Sequence, residues 1–99
     1  MRPALVRVHN NLGLALAQQG RTDEAMAHFT EAIQLMPSFA EARNNLGLVL
    51  AQQGRLDEAI IHFSQAVRIN PNDVEAKDNL DAAYQQRSSE HLTAHGERS

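Results

Sequence analysis

Residues Val6 to Phe39 and Ala40 to Asp73 are two copies of one 34-residue unit, identical at 18 of 34 positions when laid over each other. The copies share Asn-Asn-Leu-Gly-Leu at Asn10 to Leu14 and Asn44 to Leu48, then Leu-Ala-Gln-Gln-Gly-Arg at Leu16 to Arg21 and Leu50 to Arg55. Pro3, Pro37 and Pro71 keep the same step. A unit of this length cannot bury its apolar face alone, so it stacks on its neighbours into a solenoid whose core is a line of interfaces. The expectation is an all-α fold of antiparallel helix pairs.

Within the first unit Leu5, Val8, Leu12, Ala15 and Leu16 recur at helical spacing, and Gly20 stops the run with a residue suited to a left-handed turn. Thr22 or Asp23 then caps a second helix, with Ala25, Phe29, Ala32, Ile33 and Met36 as its buried stripe and Pro37 as its end. The second unit repeats the plan with Ala42, Leu46, Val49 and Leu50, then Ala59, Ile60, Phe63, Ala66 and Val67, closing at Pro71. A fifth helix starts near Val74, where Asp81 replaces the small Gly13 and Gly47 of the copies. A carboxylate under a packed helix would be buried unpaired, so the fifth helix is expected at an open end, as a cap. The expected organisation is a lead-in at residues 1–5, repeats at 6–39 and 40–73, a capping helix at 74–87, and a polar, disordered tail at 88–99.

Leu12-Gly13, Leu16, Gly20, Ala25, Phe29, Ala32 and Pro37, echoed by Leu46-Gly47, Leu50, Gly54, Ala59, Phe63, Ala66 and Pro71, resemble the signature of the tetratricopeptide repeat. His9 and Arg43 depart from it by replacing an aromatic residue, and Leu16 and Leu50 by replacing a tyrosine that Tyr84 retains. The resemblance implies a right-handed superhelix of helical hairpins whose first helices line a concave groove for a peptide or partner protein. It also implies a scaffold that is not an enzyme.

Composition narrows the partner. A net charge of −3, with a single lysine, lacks the clustered basic surface that nucleic acid requires. No apolar run approaches the roughly 20 residues of a membrane-spanning helix, and no secretory signal follows Met1, so a cytoplasmic location is the expectation. With no cysteine there is no thiol nucleophile or zinc-thiolate site. His28 and His62 are repeat equivalents, too far apart to share a metal ion, and His91 and His95 would need a helical tail that Gly96 and its serines argue against. No nucleophile pattern or phosphate loop is present, so no cofactor is expected.

Asn11, Asn45 and Asn79 occupy the same place in successive first helices. A carboxamide offers both donor and acceptor, so such a row can bond the backbone of an extended peptide about every three to six residues. It resembles the asparagine ladder in the repeat region of O-linked N-acetylglucosamine transferase. The competing reading is hydrogen bonding between helices. Further candidate groove contacts are Arg7, Glu41 and Glu75 near the helix starts, Leu14 and Leu48 in mid-helix, and Gln18 and Gln52 toward the ends. The carboxylate clamp that other tetratricopeptide domains use on acidic chaperone tails is excluded: Asn10, Leu14, Glu75 and Asn79 stand at positions where it needs other residues, and Glu75 would repel the ligand. Three hydrogen-bonding sites at about 1 kcal/mol each fall short of the roughly 8 kcal/mol behind a micromolar complex, so the asparagines alone bind weakly.

Two other roles fit the same sequence. Leu5, Val6 and Val8 leave an apolar flank on the first helix, which invites homo-oligomer formation. The chain can also be the C-terminal repeat region of a larger enzyme or membrane protein, where the repeats dock substrates or partners.

Overall fold

Two glycines decide where the chain turns. In a computed structural model describing residues 2–96, with side chains through Glu90, Gly20 and Gly54 have φ of 78° and 80°, backbone that favours glycine. Each closes a helix with the same pair of bonds: Gly20 N–H donates to Ala17 O and Arg21 N–H to Leu16 O, as Gly54 does to Ala51 O and Arg55 to Leu50 O. These satisfy carbonyls that the helix end would otherwise leave open. The helices are α1 (Pro3–Gln18), α2 (Thr22–Leu35), α3 (Ala40–Gln52), α4 (Leu56–Ile69) and α5 (Val74–Gly96). α1 pairs with α2 and α3 with α4. α2 then packs on α3 and α4 on α5, while α1, α3 and α5 lie side by side. The result is a slab of 55 × 30 × 18 Å.

Gly13 and Gly47 set how closely each pair approaches. A Cβ at Gly13 would lie 2.5 Å from Cε1 of Phe29, and one at Gly47 2.6 Å from Cε1 of Phe63. The two rings are fully buried and form the core with Ala25, Leu46, Val49, Leu50, Ala59, Ile60 and Ala83.

The structure departs from the sequence expectations in four places. Helix α1 begins at Pro3, within the expected lead-in, because proline at the first helical position forfeits no hydrogen bond. Neither Thr22 nor Asp23 caps α2. The flanking residue is Arg21, which makes no side-chain cap, and the Thr22 hydroxyl donates instead to Gly20 O, at 3.4 Å. Helix α5 continues through Gly96 and does not end near Arg87. The position equivalent to Gly20 and Gly54 is Ser88, so the left-handed stop is missing and the helix runs on. Lastly, Val6 is not part of the open flank: it is 1% exposed and packs with Ala32 and Ala42.

The two ends differ. Leu5, Val8 and Leu12 are 43%, 51% and 44% exposed, whereas the repeat equivalents of Val8 and Leu12, Ala42 and Leu46, are buried under the preceding helix. At the other end Asp81 is exposed and Arg87 closes the edge, pairing with Asp57 at 2.9 Å and lying over the Tyr84 ring.

Candidate functional site

The groove is built on the face that α1, α3 and α5 share. The repeat places Leu14 and Gln18 of α1 beside Asn45, Leu48 and Gln52 of α3, and these residues line one pocket of about 240 Å³ with Ala17, Phe29 and Val49. Every one of those side chains is uncharged. A second hollow of about 440 Å³ lies where α3 and α5 begin, lined by Phe39, Glu41, Asn44, Asn45, Asp73 and Glu75 among others. Asn45 belongs to both. Arg7, Asn11 and Asn79 lie outside the two linings.

The asparagine row is engaged between helices. Asn45 Nδ2 donates to Asn10 Oδ1 at 2.9 Å, and Asn79 Nδ2 donates to Asn44 Oδ1 at 3.0 Å. Asn10 and Asn44, 0% and 6% exposed, in turn donate to Glu41 at 2.7 Å and to Glu75 at 3.5 Å. The direction of donation is forced. A carboxylate only accepts, so the Asn10 atom facing Glu41 must be the nitrogen, its oxygen must face Asn45, and Asn45 must donate. Each repeat is thereby bonded to the next through a buried amide. Asn11 is exposed. The donation costs Asn45 one N–H and leaves its oxygen and second N–H for another partner.

Asn10 and Asn44 are not among the groove candidates that the repeat pattern suggests. The signal was present: both sit four residues after the buried Val6 or two after the buried Ala42, and three before the close-approach glycines Gly13 and Gly47, on the covered side of the helix.

Glu41 carries an exposed ion pair with Arg7 at 3.8 Å, and the Arg7 guanidinium lies 5.5 Å from the centre of the Phe39 ring. An exposed pair of this kind contributes little to stability. On the far side of the hairpins His9 and His28 meet with Nδ1 atoms 3.1 Å apart. Their ring centres are 5.3 Å apart, so the nitrogens point nearly head-on and fit a shared proton, not a common metal ion. In the second repeat Arg43 takes the place of His9. It reaches Pro37 O and Gln65, leaving His62 Nδ1 buried without a hydrogen-bond partner among the described residues. The His62 imidazole is pushed below the ordinary histidine range by burial first and by Arg43 second, against a smaller opposing pull from Glu58. No group of three potential metal ligands occurs among the described residues, and the side chains of His91 and His95 lie outside them.

An all-helical stack of antiparallel hairpins, with equivalent groove residues at a 34-residue step, defines a helical-repeat scaffold. The tetratricopeptide repeat family matches residues 2–38 and 10–74, and the chain belongs to it. Repeats of this family generally serve as protein-interaction modules. Two crystal structures of MamA are similar, each 26% identical with a TM-score of 0.81 over 84% of this chain. The chain spans 48% and 45% of their lengths. None of the curated proteins compared with the chain matches it. No helix among the described residues is long and apolar enough to cross a membrane.

Proposed function

We propose that the chain is a non-catalytic scaffold that binds an extended peptide or a loop of a partner protein in the groove of α1, α3 and α5. One observation carries this reading. Five residues chosen for their repeat position, Leu14, Gln18, Asn45, Leu48 and Gln52, line a single pocket. Leucines supply area to be removed from water, and amides at the edge accept and donate to a peptide backbone without reading its side chains. The test is selection from a random peptide library, followed by mapping on the protein's backbone amide resonances. Shifts centred on Leu14, Asn45 and Leu48 are expected. Shifts confined to the opposite face, around Arg43, Gln65 and Arg68, would sink the reading. Leu14→Ser is the discriminating variant, because Leu14 is 37% exposed and its loss weakens binding while sparing the fold.

A second reading rests on Leu5, Val8 and Leu12. Their stripe repeats the surface that α3 presents to α2, so it accepts an amphipathic helix, and the occupant is a second copy of the chain. Light scattering across a wide concentration range tests this. A dimer that Val8→Glu converts to monomer is expected, and a monomer at every concentration rejects it.

A further inference from the structure

The two hollows of the groove differ in chemistry, and that difference reads the partner. The α1–α3 pocket is lined by leucine, valine, alanine, phenylalanine and amides, with no charge. The α3–α5 hollow is lined by Glu41, Asp73 and Glu75, with no cation among its lining residues. Asn45 lies on the boundary and faces both. We infer that the groove takes an extended segment carrying a large apolar side chain, seated against Leu14 and Leu48, and a lysine or arginine, seated among Glu41, Asp73 and Glu75. This deepens the peptide-binding reading above and rests on it.

Spacing follows from the helices. Glu41 and Leu48 are seven residues apart on α3, about 10 Å along the axis at 1.5 Å per residue, and the acidic hollow is displaced sideways toward α5. An extended chain covers that span in about three to five residues. The apolar and cationic side chains of the ligand are therefore about that far apart.

The carboxylates remain able to receive a cation although each is engaged. Glu41 accepts from Asn10, Glu75 accepts from Asn44, and Asp73 Oδ1 accepts the Ala76 N–H at the start of α5. An ionised carboxylate has about four acceptor sites, so one internal bond does not exhaust it. These bonds also hold the three charges in place in the absence of a ligand. Arg7 pairs with Glu41, but that contact is long and exposed on both sides and is displaced at little cost. Repulsion does the rest of the selecting: an acidic residue at this position would meet three negative groups on a chain of net charge −3.

The experiment uses the full chain and three ten-residue synthetic peptides, followed by amide resonance shifts at low salt. The first carries Leu and Arg four residues apart, the second replaces Arg by Glu, and the third replaces Leu by Ser. The Leu/Arg peptide is expected to bind at least tenfold more tightly than either of the others. Its shifts should fall on Leu14 and Leu48 as well as Glu75, and its affinity should drop several-fold between low and physiological salt. In the Glu75→Gln variant the preference for Arg over Glu narrows, while the melting temperature stays within a few degrees, since Glu75 is exposed and its internal bond is long. Equal binding of the Arg and Glu peptides overturns the charge assignment and leaves groove binding standing. Failure of every peptide to shift groove residues overturns both. Groove shifts that appear on raising protein concentration without peptide assign the groove to a second copy and also overturn the inference.

Discussion

A glycine in the middle of a helix costs about 1 kcal/mol relative to alanine, so Gly47→Ala would stabilise α3 if propensity decided the outcome. Packing decides it instead. The new methyl would sit 2.6 Å from a ring carbon of Phe63, itself buried and unable to retreat, and such overpacking costs about 1–3 kcal/mol. Gly47→Ala is therefore expected to lower the melting temperature, and a rise would show that the helices can part. Asn45→Ala follows similar logic. A purely peptide-binding asparagine could be lost with little effect on stability, but the structure has Asn45 donating to the buried Asn10, so removal leaves an acceptor short of a partner. A loss of about 1–2 kcal/mol is expected from denaturant unfolding, together with any loss of binding. His62 supplies the pH dependence. Its folded form resists protonation, so the unfolded chain binds more protons, and stability is full above the unfolded value near 6.5 and is lost as pH falls through the depressed folded one. Melting temperatures measured from pH 7.5 downward should fall below that point, and His62→Leu should flatten the decline. An unchanged slope in the variant would assign it to other groups.

At the scale of the elements the repeat made nearly everything legible, and the exceptions have physical causes. The helix pairs, their stops at Gly20 and Gly54 and the stripes of α3 and α4 follow from period and turn chemistry. The extent of α5 does not, because a polar composition points to disorder while the deciding feature is the absence of a glycine at Ser88. The Asn10 and Asn44 bridges do not, because an amide looks the same in sequence whether it faces a ligand or a neighbouring helix, and only burial separates Asn10 from Asn11. That Leu14, Gln18, Leu48 and Gln52 line one pocket follows from a repeat that carries the same phase from helix to helix. Gly54→Ala tests how much a single stop contributes. With φ at 80° and none of the described residues within 4 Å of the added Cβ, the cost is conformational alone, about 1–2 kcal/mol, without any cavity or clash. A loss much larger than this would mean that the turn also sets how α3 and α4 dock.

For the whole molecule, stability is a line of nearest-neighbour interfaces with no shared centre, so position along the slab matters more than residue type. Helix α3 is flanked on both sides and buries Ala42, Asn44, Leu46, Gly47, Val49 and Leu50, whereas α1, at the end of the described stack, buries only Val6, Asn10 and Gly13. Opening α1 breaks one helix pair and the bridges from Asn10. Opening α3 breaks packing against both hairpins and both asparagine bridges, one through Asn45 and one through Asn44. Amide exchange should therefore be slowest in α3 and α4, with α1 opening at lower free energy and the end of α5 exchanging fastest. A ligand seated between α1 and α3 ties the weak end to the strong one. On saturation with a groove peptide, protection should rise most in α1, by the logarithm of ligand concentration over its dissociation constant, and little in α4. Uniform protection across all five helices would mean that the chain opens only as one cooperative unit, and the line of interfaces would then be the wrong description of how it holds together.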